Sequence, residues 1–200
     1  MFILAGLVNL RLSESHCCVY GVLTYMSIQE MLGALQTPRK LHKVSSPWTD
    51  EDEDTPRTLY VSADIDAAIT EPFSDTKQGE RLGEFRAWLE NFVEYGEITV
   101  CNRPHDKPQE TMLARTDPVE AEFWSIRVTL PEDSPGIRCL GAFAGTDEFI
   151  ALTWDYREVI ADDFDGEVEA IHDSWRDHFG AKQPFGGEYP DEYLTNCRAL

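Results

Sequence analysis

A chain of 200 residues that is 42% hydrophobic and 11% aromatic can form a hydrophobic core, which excludes global disorder. The formal net charge of -20 disfavours nonspecific nucleic-acid binding, because that affinity comes from cations that neutralise phosphates. The five cysteines, an odd number without regular spacing, indicate reduced thiols in a cytoplasmic protein and no disulfide framework.

Residues 1–57 are predicted to form an N-terminal extension and acidic linker that is partly disordered. The apolar run at residues 1–10 is too short to span a bilayer, so no membrane association is expected. A second possible start at Met26 leads to the hypothesis that residues 1–25 do not belong to the native protein. A short helix is predicted over 28–36, and the acidic run at 50–54 is typical of a solvated linker.

The main domain is predicted to cover residues 58–181. Apolar residues at helical spacing predict one helix over 82–93 and another over 165–179, with Gly180 as the C-terminal cap of the second. Short strands are expected near residues 59–61 and 98–100, with a proline-rich loop over 102–118. The tail over 182–200 contains two prolines and two glycines and is expected to be irregular.

Residues 123–157 predict three consecutive antiparallel strands, each with one arginine: Arg127, Arg138 and Arg157. Side-chain alternation places Ser125 and Arg127 on the face opposite Trp124, and it predicts that all three arginines project from one outer face of the sheet. The expected fold class is α+β, with a small antiparallel sheet made of this meander and one or two added strands. Helices before and after the meander are expected to pack on one sheet face.

Three arginines side by side are unfavourable unless acids neutralise them or an anion is the ligand. Arginine suits phosphate because its planar group donates two parallel hydrogen bonds. The alternative is pairing with nearby acids, and both interpretations stay open on sequence alone. The candidate acids are Asp117, Glu120, Glu122, Asp147, Glu148 and Asp155.

The meander resembles the RelE/HigB-like toxin superfamily, part of the RelE/ParE group, over about residues 80–180. The resemblance rests on three short motifs: Phe123 to Val128 (FWSIRV), Gly136 to Leu140 (GIRCL), and Phe149 to Leu152 (FIAL) in a strand that ends at Arg157. Ribonucleases of this toxin–antitoxin family cleave mRNA on the ribosome with basic residues around the scissile phosphate. The resemblance therefore implies an endoribonuclease with Arg127, Arg138 and Arg157 as catalytic residues, and RNA, the ribosome and a cognate antitoxin as partners.

Two other functions remain open. The chain could be a non-catalytic acidic interaction protein of phage or mobile-element type that binds a basic protein partner, or a small-anion binding domain. No cofactor is expected. No metal site is expected either, because neither His16-Cys17-Cys18 nor the group of Cys101, His105 and Asp106 has the paired spacing of a structural zinc site.

Overall fold

The computed structural model describes residues 27–36, 40–47, 56–94, 96–129, 135–161 and 164–200. Several segments singled out in the sequence lie outside the described residues: the segment 1–25 with His16, Cys17 and Cys18, the alternative start at Met26, and the acidic run 50–54. No helix in the described part of the chain is long and apolar enough to cross a bilayer.

The described residues form eight strands and six α-helices. The strands are β1 (Leu41–Lys43), β2 (Thr58–Ser62), β3 (Ile98–Cys101), β4 (Leu113–Arg115), β5 (Phe123–Val128), β6 (Ile137–Gly145), β7 (Glu148–Tyr156) and β8 (Cys197–Ala199). The helices are α1 (Ile28–Gln36), α2 (Ala63–Ile69), α3 (Lys77–Val93), α4 (Arg157–Ile160), α5 (Phe164–Phe179) and α6 (Pro190–Tyr193).

All eight strands belong to one sheet, in the order β1-β2-β7-β6-β5-β4-β3-β8. The pairs β4–β5, β5–β6, β6–β7 and β1–β2 are antiparallel. In contrast, β2 pairs parallel with β7, and β3 pairs parallel with both β4 and β8. The predicted fold class, a small antiparallel sheet, is therefore wrong, because the meander is the centre of a larger mixed sheet.

Helices cover both faces of the sheet, and each face has its own core. On one face α2, α3 and Tyr193 of α6 pack against apolar residues of the sheet such as Trp124. On the other face α1 and α5 pack against residues that include Phe123 and Leu140. The expectation of helices on one face is therefore wrong, because the face that was predicted to be outer carries enough apolar side chains to bury a second helical layer.

Local sequence signals explain the long helices. The hydroxyl of Thr76 accepts a hydrogen bond from the amide of Gly79 and caps the N-terminus of α3. The predicted stripe of α5 is buried along its whole length, from Val168 to Phe179. The helix ends at Gly180, which adopts a left-handed φ of 62° as a C-terminal cap residue does. Both helices were predicted from the sequence and are confirmed.

The C-terminal tail, which was expected to be irregular, contains α6 and the strand β8. Tyr193 and Leu194 are fully buried, and β8 extends the sheet next to β3. The extension predicted for residues 1–57 likewise contributes α1 and the edge strand β1. Segments that lack clear sequence periodicity thus add both edges to the sheet.

Candidate functional site

Two of the three predicted arginines lie directly opposite each other. Arg127 of β5 is the antiparallel partner of Arg138 of β6. Side chains of directly opposed residues project from the same face of a sheet, where like charges repel. Both side chains are half-buried, so water screens the repulsion incompletely.

Arg157 lies at the end of β7 as the first residue of α4, and it is exposed. Its backbone amide donates to the carbonyl of Gly136 (2.8 Å), while Nη1 of Arg138 donates to the next carbonyl, that of Ile137 (2.9 Å). Both bonds are made at the start of β6, and the positive charge of Arg157 acts on the guanidinium of Arg138. Gly136 is needed at this point, because a Cβ here would collide with the carbonyl oxygen of Val128.

A fourth cation, Lys107, comes from the loop between β3 and β4. This loop is tied to β5 because Nη1 of Arg127 donates to the carbonyl of Pro108 (2.9 Å) and also reaches that of Thr111 (3.5 Å). Burial lowers the pKa of Lys107, and the positive charges of Arg127 and Arg138 lower it further. We call Lys107, Arg127, Arg138 and Arg157 the cationic cluster.

The members of the cationic cluster raise one another's electrostatic energy. Burial is the main reason why the pKa of Arg138 falls to about 10, and Arg127 and Arg157 add to the effect. Burial and then Arg157 also lower the pKa of Arg127. Each shift means that the protonated form is less favourable here than in water. An anion placed among these groups would reverse that effect.

Among the described residues, the cationic cluster has no ion-pair partner. Within the described ranges, no member of the cluster lies within ion-pair distance of a carboxylate. Asp155 is the strand partner of Arg138, but its Oδ1 accepts from the amide of Tyr156 (2.7 Å). Asp117 raises the pKa of Lys107 only as the smallest of five effects.

Two of the acids that could have paired with these arginines are engaged elsewhere. Glu122 binds Arg115 and accepts from the hydroxyl of Tyr193. Asp147 accepts two hydrogen bonds from Thr195. Of the remaining acids near the site in sequence, four lie outside the described residues: Glu132, Asp133, Asp162 and Asp163.

Buried hydroxyl groups without partners lie next to the arginine pair. Ser125 precedes Arg127 by two residues and shares its face, yet it is only 4% exposed and its Oγ has no hydrogen-bond partner. Thr111, whose carbonyl faces Arg127, is 1% exposed and its Oγ1 is also without a partner. Buried hydroxyls are nearly always hydrogen-bonded in folded proteins. Both hydroxyl oxygens are inaccessible to solvent, so they do not line an open site.

An open groove of about 520 Å³ adjoins the cationic cluster between the β3–β4 loop and the start of α5. It is lined by Pro104, His105, Lys107, Asp117, Pro118, Phe164, Asp165 and Val168. Lys107 belongs both to the groove and to the cluster. On the groove wall, Nε2 of His105 lies 3.6 Å from Oδ2 of Asp117.

The sequence identified the three arginines of this site, and the structure brings them together. It missed Lys107, because a lysine in a proline-rich loop has no periodicity that would fix its position. Alternation placed Ser125 on the face of Arg127, but its hydroxyl is buried and does not line the site. In the described part of the chain, no three or more metal-ligating side chains form a group that could hold a metal ion. Cys101, His105 and Asp106 all lie within this part and form no such group. The donors present suit an anion.

Comparisons with known proteins add no identification. No protein-family model matches the chain, and no curated protein or solved structure is significantly similar to it. The resemblance to RelE/HigB-like toxins therefore rests on the three short motifs of the meander.

Proposed function

We propose that this protein binds the phosphate group of a small ligand at the cationic cluster. One observation carries the proposal: Arg127 and Arg138 lie opposite each other on one face of the sheet, within electrostatic reach of Lys107 and Arg157, and no carboxylate of the described residues forms an ion pair with these four cations. Two adjacent guanidinium groups can donate paired hydrogen bonds to phosphate oxygens.

The overall charge favours a small ligand over a long nucleic acid. A chain with a net charge of -20 repels a polyanion at every point outside the cluster. A single phosphate or diphosphate group needs only the local field of four cations. The cluster is therefore suited to one terminal phosphate.

The test is ligand-dependent thermal stability at constant ionic strength. We expect inorganic phosphate and pyrophosphate to raise the melting temperature of the wild type in a saturable way. Binding at a hundred times Kd stabilises the native state by about 2.7 kcal/mol. The variant Arg138→Met removes the central cation and is expected to lose this response.

The matched control is Arg176→Met, since Arg176 is a well-exposed arginine on α5 that pairs with Asp173. This variant is expected to respond to phosphate as the wild type does. An equal rise in all three proteins, or no rise in the wild type, would contradict the proposal. Sodium chloride at matched ionic strength separates phosphate binding from screening.

A second candidate function is metal-independent RNA cleavage, which the resemblance to RelE/HigB-like toxins implies. The observation that favours it is the imidazole of His105 beside Asp117 in the groove that Lys107 also lines. An imidazole can transfer protons while cations stabilise charge on the phosphate. In this hypothesis Arg127, Arg138 and Arg157 surround the scissile phosphate of RNA, with or without the ribosome, and an antitoxin would be the basic partner.

RNA cleavage is tested in EDTA, with and without ribosomes, together with growth after expression. We expect cleavage and growth arrest with the wild type, and loss of both with Arg138→Met and His105→Ala. Expression of the wild type without any growth defect and without cleavage in either assay would contradict this second function. It would leave phosphate binding as the function of the cluster.

A further inference from the structure

The groove beside the cationic cluster has chemically distinct ends. Lys107 marks the end that is shared with the cluster. Four apolar side chains form much of the rest, and two of them are prolines: Pro104, Pro118, Phe164 and Val168. Flat faces of proline and phenylalanine suit a planar ring, as they do in many small-molecule sites.

Two carboxylates, Asp117 and Asp165, also line the groove. They repel phosphate, so a phosphate group is expected to lie in the cluster and not in the groove. Ionised carboxylates accept hydrogen bonds only, which suits amino and hydroxyl groups of a ligand. The groove thus fits the part of a ligand that carries such donors on a planar ring.

The volume of about 520 Å³ lies in the range of small-molecule sites and leaves room for a ring and a sugar. Because Lys107 joins the groove to the cluster, one molecule can occupy both. Its phosphate would contact Arg127 and Arg138, and its ring would lie against Phe164.

We infer that the ligand is a nucleoside monophosphate with an amino-bearing base, held by its phosphate in the cationic cluster and by its base in the groove. This inference rests on the proposed phosphate binding. Asp117 and Asp165 accept hydrogen bonds from the amino group of the base and the hydroxyls of the ribose. The ring and the phosphate each contribute to the binding free energy, so neither adenosine nor phosphate alone binds as tightly as AMP.

The experiment is calorimetric titration of the full chain with inorganic phosphate, ribose 5-phosphate, adenosine, AMP and UMP. We expect AMP to bind about tenfold tighter than ribose 5-phosphate, which corresponds to about 1.4 kcal/mol. UMP, whose base has no amino group, is expected to bind more weakly than AMP. Adenosine is expected to bind most weakly, because it lacks the phosphate.

Two groove variants test where the base lies. Phe164→Ala is expected to reduce the affinity for AMP to that for ribose 5-phosphate without changing the affinity for phosphate. Phe164 also packs against the core, so Asp117→Asn provides a second variant at an exposed position. Asp117→Asn should reduce the ratio of the affinity for AMP to the affinity for UMP and leave folding intact.

The titrations distinguish the proposed phosphate binding from the inferred binding of a nucleoside monophosphate. If phosphate binds but AMP binds no tighter than ribose 5-phosphate, the inference is wrong and the proposed phosphate binding stands. If neither phosphate nor AMP binds, both are wrong. If the groove variants leave the preference for AMP unchanged, the base does not lie in the groove and the inference is again wrong.

Discussion

Arg57 and Arg138 show two opposite uses of a partly or wholly buried arginine. Arg57 is 1% exposed, and its guanidinium donates to backbone carbonyls from two distant segments. These carbonyls belong to Phe92, Glu94, Gly96, Thr195 and Asn196. Arg138 donates to one carbonyl, that of its neighbour Ile137, and faces other cations. An arginine with its donors engaged holds a fold together, whereas one with donors free among like charges is arranged for a ligand.

The surroundings of Arg57 act as a unit, which we call the C-terminal clamp: Arg57, Asp147, Tyr193, Thr195 and Asn196. Asp147 accepts from the amide and the hydroxyl of Thr195 (both 2.8 Å), and its own amide donates to the carbonyl of Tyr193 (2.8 Å). The clamp fastens the end of the chain to α3 and to the β6–β7 turn. It therefore stabilises the edge of the sheet where β8 lies.

The largest expected effect is the loss of stability in Arg57→Met. The substitution removes a buried guanidinium that donates to five carbonyls, and breaking buried charged interactions typically costs about 3 to 5 kcal/mol. Urea denaturation followed by circular dichroism measures the free energy of unfolding. Arg176→Met, at a well-exposed position, is the control and should change little.

A fall of less than about 1 kcal/mol in Arg57→Met would contradict the structural role, since that is the value of one ordinary hydrogen bond. Native-state hydrogen exchange adds a second measurement. Amides of β3 and β8 should lose protection in the variant before those of β6 and β7, because the clamp holds the edge and not the centre of the sheet.

The sequence predicted the elements with clear local periodicity and missed those that depend on contacts between distant segments. The strands of the meander and the two long helices carry six or more residues with clear periodicity, and these elements were predicted. Strands such as β1 and β8 have three residues each, too few to show alternation. Parallel pairing of β2 with β7 joins residues about 90 positions apart and leaves no local signal. These omissions led to the wrong fold class.

One overlooked signal was present in the sequence. The face that was predicted to be outer carries Phe123, Leu140 and Ala142, three apolar residues that need a covering layer. The apolar stripe of α5 supplies that layer. In the cluster, alternation identified the shared face of Arg127 and Arg138, but Lys107 depends on a loop that the sequence leaves without a fixed path. The role of Arg57 was also missed, because a polar stretch next to the acidic run resembles a linker.

A second expected effect is alkaline destabilisation through Tyr193 of the clamp. Burial, and then the hydrogen bond to Glu122, raises the pKa of Tyr193 to about 12 from a usual value of 10.0. The folded protein therefore holds this proton where the unfolded chain releases it. The protonated Tyr193 therefore stabilises the folded state below pH 10. This stabilisation, about 2 to 3 kcal/mol of the free energy of unfolding, is lost as the pH rises from about 10 to 12.

The measurement compares the free energy of unfolding of the wild type and Tyr193→Phe across pH 9 to 12. The variant loses the hydrogen bond to Glu122 and is expected to be less stable at pH 9. The difference between the two proteins should shrink as the pH rises, because only the wild type carries this titrating group. Parallel curves over the whole range would show that Tyr193 does not titrate in this window.

The smallest expected effect on the free energy of unfolding is an increase, in Arg138→Met. Arg138→Met removes a charge that faces Arg127 and replaces it with an apolar side chain in a half-buried position. Like charges directly opposed on a sheet are destabilising, and cross-strand pairs contribute about 0.2 to 1 kcal/mol, so we expect a gain in stability of about 0.5 kcal/mol in phosphate-free buffer. In saturating phosphate the order should reverse, because only the wild type binds the anion. If Arg138→Met were instead less stable than the wild type in phosphate-free buffer, Arg138 would be a structural residue and the cationic cluster would not be a ligand site. The sign of this change therefore decides which of the two uses of arginine applies to the meander.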